Sequence, residues 1–209
     1  MKKFLIILAL LAGAAQAACP NLYPVGLTAA NRTELCNGFF VTVYDEVAGR
    51  PVFSAELLKQ GTSVGTPGRL NTYRQDSRLK KSPTNAAYAK SGYDRGHLAP
   101  AYDASTDAEL RATFLLSNMT PQNPGLNSGS WRVLELNVRK LFYKSASDVR
   151  VITIPIYGSP YAYLGVIPIP SGYWKIVQAN GNEHYYYADN IPKARVHEYH
   201  GINWKNLIK

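Results

Sequence analysis

The sequence predicts an α+β fold: a single domain with a mostly antiparallel β-sheet. Strand-like segments come first, helical periodicity occupies the middle, and strand-like segments return. No internal repeat, low-complexity tract or linker divides the chain. With 46% hydrophobic and 18% charged residues over 209 positions, the composition suits one ordinary globular core and excludes a disordered or fibrous protein.

Lys2 and Lys3, an apolar run over 4–12 and small residues ending Ala15-Gln16-Ala17 form the pattern of a secretory signal peptide over residues 1–17. The run is too short to cross a bilayer of roughly 30 Å as a helix. Cleavage after Ala17 leaves 18–209 as the mature domain, exported to the periplasm or the medium and without a membrane anchor. A cut after Ala18 would place Cys19 at the terminus for lipidation, but Gln16 stands where such a signal wants an aliphatic residue. Cys19 and Cys36 are the only cysteines. In an exported chain such a pair makes a disulfide, worth about 3 kcal/mol for a loop of this length.

Next, β-formers over 39–44, a turn at Ala48-Gly49-Arg50 and alternation over 51–57 predict a hairpin. Residues 60–90 are polar, basic and rich in turn formers, a long surface excursion. A short helix is expected over 107–116. A second begins with Asn127, Ser128 or Ser130 as cap and carries Leu134, Val138, Leu141 and Phe142 at helical spacing. Residues 149–157 and 165–177 read as strands, the latter broken by Pro168 and Pro170 as at an edge or bulge. Tyr185-Tyr186-Tyr187 continues the sheet.

The formal charge is +9, and removal of Lys2 and Lys3 leaves +7. A basic exported protein attracts polyanions, either nucleic acid or anionic lipid headgroups. The chemistry concentrates in Asp94-Arg95-Gly96-His97. In an extended segment Arg95 and His97 point to one face, so a guanidinium and an imidazole can address one phosphate, while Gly96 leaves the backbone room. Asp94, on the other face, reads as a hydrogen-bond acceptor. His97, with a reference pKa near 6.5, is a candidate proton acceptor. Downstream, Asn127, Trp131 and Glu135 fall on one flank of the expected helix. Asn127 is a helix cap or, through its amide oxygen, a hard ligand for Mg²⁺. Glu135 either pairs with Arg139 on the surface or acts through the water shell of a metal.

Together these segments resemble the DNA/RNA non-specific endonucleases of the ββα-metal superfamily. The resemblance rests on Asp94-Arg95-Gly96-His97 with Ala99-Pro100, then Leu116-Ser117-Asn118-Met119-Thr120-Pro121-Gln122, Asn127, Trp131, Leu134 and Glu135, and extends to Tyr173-Trp174-Lys175. It implies a ββα-metal active-site motif and metal-dependent hydrolysis of DNA and RNA to 5′-phosphate ends. His97 would be the general base and Arg95 the phosphate and leaving-group contact. Asn127 would be the sole direct protein ligand of one Mg²⁺, with Mn²⁺ as a substitute. Glu135 would act through the metal's water shell, and Asn118 would support the site by hydrogen bonding. A further arginine upstream corresponds to Arg69, with Arg74 and Arg78 as alternatives. Two other functions fit the charge: a nucleic-acid-binding protein that does not cleave, which loss of His97 or Asn127 would have favoured, and a lipid phosphodiesterase, which would want an amphipathic anchor.

Overall fold

The computed structural model describes residues 19, 22–23, 32–65 and 72–208. The expected signal peptide and Arg69 lie outside the described residues. The chain opens with β1 (Arg32–Cys36), β2 (Phe40–Asp45) and β3 (Arg50–Leu58), then leaves the sheet for α1 (Asn85–Tyr88), β4 (Asp94–His97), α2 (Asp107–Thr113), β5 (Met119–Gln122), α3 (Pro124–Leu126) and α4 (Arg132–Lys144). It returns as β6 (Val149–Ile156), detours through the short β7 (Ala162–Leu164) and β8 (Ile167–Ile169), and ends with β9 (Gly172–Ala179), β10 (Asn182–Asp189) and β11 (His197–Tyr199). The main sheet has seven strands in the order β1-β2-β3-β6-β9-β10-β11, and every neighbouring pair is antiparallel. Because β3 and β6 are neighbours, everything between them is one insertion rising from the middle of the sheet.

Period-two alternation gives the sheet two buried faces. On one, Val41, Val43, Phe53, Ala55, Ile152, Ile154 and Ile176 pack under Leu22 and the C-terminal turn bearing Trp204 and Ile208. On the other, Leu58, Val149, Val151, Tyr173 and Val177 meet Leu134, Val138 and Phe142 of α4. The expected 39–44/51–57 hairpin is β2–β3, and the helix expected over 107–116 is α2, capped by a reciprocal Thr106–Glu109 box. The 165–177 run splits: Pro168 sits in the two-stranded β7–β8 ribbon, and beyond Pro170 the chain enters β9, an interior strand. The disulfide expected between Cys19 and Cys36 is present, with the Cα atoms 5.6 Å apart.

The second helix departs from expectation. Its cap is Asn123, whose side chain accepts from the N–H of Gly125, with Pro124 in the first turn. Neither Asn127, Ser128 nor Ser130 caps it. Asn127 opens a π turn, Asn127–Trp131, in which Gly129 leaves helical conformation (φ −97, ψ −117) before α4 begins. The inserted residue turns Asn127 out of the register that a continuous helix would give it with Trp131 and Glu135.

Candidate active site

Two strands and a helix build the site. β4 pairs antiparallel with β5, matching Asp94 with Gln122, Arg95 with Pro121, Gly96 with Thr120 and His97 with Met119. The chain then turns through Asn123 into α3, the π turn and α4. Gly96 is required because a Cβ there would overlap the buried side chain of Gln122.

Arg95 and His97 share one face of the ribbon, and Tyr73 lies against both. The Arg95 guanidinium sits 4.9 Å from the Tyr73 ring and 5.2 Å from that of Tyr88, and donates from Nη2 to the Asn85 carbonyl at 3.1 Å. His97 meets Phe114 edge-on at 5.1 Å and Tyr73 at 6.2 Å. Its Nε2 is buried and has no hydrogen-bond partner. Burial pushes the imidazole pKa down to about 4, so the ring is neutral at pH 7. A neutral, unpartnered imidazole nitrogen beside a guanidinium is equipped to take a proton next to a phosphate.

Asn127 faces back toward the ribbon, and its Nδ2 donates to Asp94 Oδ2 at 2.9 Å. The ionised carboxylate only accepts, so the amide nitrogen must face it and the carbonyl oxygen is left to other partners. That donor set fits Mg²⁺: a hard oxygen on a neutral amide, oriented by a carboxylate behind it. No group of three or more His, Cys, Asp or Glu side chains gathers among the described residues, so a cation here would draw on few protein ligands. Asp94 is thus the hydrogen-bond acceptor that the alternation suggested.

Asn118 is fully buried and makes four hydrogen bonds. Its Oδ1 accepts from Ser54 Oγ (3.1 Å) and the N–H of Ala99 (3.0 Å), and its Nδ2 donates to the carbonyls of Ala99 (2.9 Å) and Thr113 (3.0 Å). It locks the chain leaving His97 to β3 and to the end of α2. Its neighbour Ser117 donates to Asp76 Oδ2 at 2.6 Å.

Glu135 projects from the first turn of α4, with Oε1 3.8 Å from Lys175 Nζ. The surface pair with Arg139 gives way to another arrangement: Arg139 Nε donates to Asp103 at 2.9 Å. Burial raises the Glu135 carboxyl to about 7, against the pull of the Lys175 ammonium. Of the upstream arginines, Arg78 is committed: it grips Asp76 with Nε and Nη2, and donates to the carbonyl of Cys36 and to Asn37. Arg74 is exposed and donates to the Arg111 carbonyl.

Beneath the site lies a group that sequence reasoning did not assign. Thr42, Ser54, Thr153 and Lys175 occupy paired positions on four successive strands, all buried on the α4 face of the sheet. The buried carboxyl groups of Glu56 and Asp103 complete it, and each is pushed upward in pKa, first by burial. Period-two parity was the available signal, since Ser54 and Glu56 alternate with Phe53 and Ala55. Parity could not announce that both faces of the strand are covered.

The family model described as DNA/RNA non-specific endonuclease matches residues 20–207. Human mitochondrial endonuclease G is 35% identical over 177 residues, covering 76% of this chain and 59% of that protein. The nuclease of Serratia marcescens is 32% identical over 147 residues, covering 61% and 54%. A solved EndoG/EndoGI complex, described in terms of the mechanism of EndoG inhibition, superposes with a TM-score of 0.63 at 24% identity, over 76% of this chain and 74% of that one, a likeness of fold. The chain matches from 35% to 62% of the length of the first curated relatives.

Proposed function

Because the chain belongs to the DNA/RNA non-specific endonuclease family, we propose that it is a metal-dependent endonuclease that hydrolyses phosphodiester bonds of DNA and RNA. The observation that carries the reading is the neutral, unpartnered Nε2 of His97 on the ribbon face that also presents Arg95. His97 takes a proton from water as the water's oxygen attacks phosphorus. Arg95 holds a nonbridging oxygen and stabilises the charge that grows as the bond to the 3′ oxygen breaks, leaving a 5′ phosphate. The oxygen of Asn127 would hold Mg²⁺, or Mn²⁺ in its place, and that cation would supply Lewis-acid stabilisation of the phosphate charge. Glu135 would orient water around that cation. Asn118 keeps the His97 strand in place, and an upstream arginine, Arg69 or Arg74, adds a phosphate contact.

The groups on this face address phosphate rather than base edges, so sequence preference is weak, and water as nucleophile makes the 2′-hydroxyl unnecessary. The protein acts outside the cytoplasm, in the periplasm or the medium. The leader sequence, the basic charge and the Cys19–Cys36 disulfide support that placement. The test is cleavage of closed circular DNA and of RNA with Mg²⁺ or EDTA, beside His97→Ala. Cutting of both substrates that EDTA and the substitution each abolish is expected; binding without cutting would overturn the reading.

A further inference from the structure

Lys175 is buried to 1% exposure in an interior strand, an expensive place for an ammonium unless a partner needs it. Its surroundings define that partner. Nζ donates to Thr153 Oγ1 at 2.8 Å and lies 5.2 Å from the centre of the Trp131 ring, the residue that closes the π turn. The nearest carboxylate oxygen in an ion pair is Oε1 of Glu135, at 3.8 Å. The other cation in the cluster, Arg139, is engaged with Asp103. Glu56 is fully buried with neither carboxyl oxygen hydrogen-bonded, and burial together with the Asp103 carboxylate nearby pushes its pKa well above the usual carboxylate range, which favours its protonated form. The Asp103 carboxylate therefore answers Arg139. The remaining positive charge, Lys175, is matched to the remaining negative one, Glu135.

We propose that Lys175 is a positioning residue for Glu135. Tethered by Thr153 in the centre of the sheet and packed on Trp131, its ammonium attracts the Glu135 carboxylate and holds it in one orientation at the start of α4. The sheet thereby sets the geometry of a group carried by the helix. This assignment rests on the role given to Glu135 in the proposed function.

The test is a double-mutant cycle joined to a spectroscopic measurement. Lys175→Met should lower kcat by about tenfold or more with KM for nucleic acid unchanged, as losses of orienting partners do. In a Glu135→Gln background it should change kcat no further, because it acts through that carboxylate. In the metal-free protein, ¹³C NMR of the Glu135 carboxyl should show its titration midpoint moving upward by about one pH unit in Lys175→Met. Lys175→Arg, which keeps the charge, should recover part of the kcat. Should Lys175→Met not fold, Thr153→Val, which cuts only the tether, carries the same readings at about threefold in kcat. Losses that multiply in the double variant, or a Glu135 midpoint unmoved by the substitutions, would overturn the assignment. A wild-type protein that cuts neither DNA nor RNA would instead remove the proposed function, and the NMR measurement would still decide whether Lys175 governs Glu135.

Discussion

At the scale of single residues, the two asparagines of the site do different work, and their substitution should separate stability from activity. Asn118→Ala would remove the side-chain partner of the N–H and carbonyl of Ala99 and of the carbonyl of Thr113 in the interior, while Ser54 keeps its bond to Thr42, at about 2–4 kcal/mol of folding free energy by urea unfolding. Asn127→Ala removes a half-buried amide that is hydrogen-bonded to Asp94. It should leave the unfolding midpoint near wild type and abolish metal-dependent cleavage. The orienting carboxylate predicts a third outcome. In Asp94→Asn the replacement can donate as well as accept, so the Asn127 amide loses its fixed sense, and the Mg²⁺ concentration for half-maximal activity should rise by about 10–100-fold. His97 should titrate by ¹⁵N NMR near pH 4 rather than near 6.5, keeping neutral-ring shifts at pH 6. A midpoint above 6 would mean the ring is solvated. Its folded pKa lies below the unfolded one, so its contribution to stability is complete above pH 6.5 and is lost as pH falls toward 4. Glu135, raised to about 7, acts in the opposite sense: it favours the fold more as pH falls from 7 toward 4.5.

At the scale of elements, the β4–β5 ribbon and the interrupted helix are each built around a local irregularity. The ribbon closes because Gly96 lets the Gln122 side chain lie over its backbone. Gly96→Ala should therefore cost about 1–3 kcal/mol in unfolding, a strain effect on the ribbon that carries both Arg95 and His97. The helix is interrupted because the π turn adds a residue before α4. Deleting Gly129 should let α3 and α4 join as one regular helix, which swings Asn127 by about 100° around the axis. Cleavage should be lost while far-UV circular dichroism shows helix content equal to or above wild type. The anchors of this entry lie far along the chain. Asn190 Oδ1 accepts from the N–H of Asn123 at 2.7 Å, and Ser130 donates to the Ala194 carbonyl at 2.7 Å. The segment after β10 therefore fixes where the helix begins.

At the scale of the whole molecule, the insertion between β3 and β6 rises from the centre of a sheet buried on both faces, which lets a buried polar row on β2, β3, β6 and β9 reach the candidate site from below. The basic charge acts at the same scale: cleavage at low substrate should fall steeply as salt rises from 50 to 200 mM, because phosphate contacts displace counterions. The sequence by itself determined the order and approximate extent of β2, β3, α2, β6 and β10, and the disulfide. Alternation, turn residues and cysteine count are local signals. It also put Arg95 and His97 on one face and made Asp94 an acceptor, since a two-residue period is fixed by the backbone alone. The start of the second helix was not legible in the same way. Asn123, Asn127, Ser128 and Ser130 are all capable caps, and the choice fell to Asn123 through Asn190, 67 residues away. Nor could the sequence reveal that Arg139 serves Asp103, or that Lys175 lies beside Glu135. Those pairings join residues 36 and 40 positions apart. Only the tertiary structure decided them, because the stability of a buried charge depends on every partner enclosed with it, and enclosure exists only once the sheet and helix have packed.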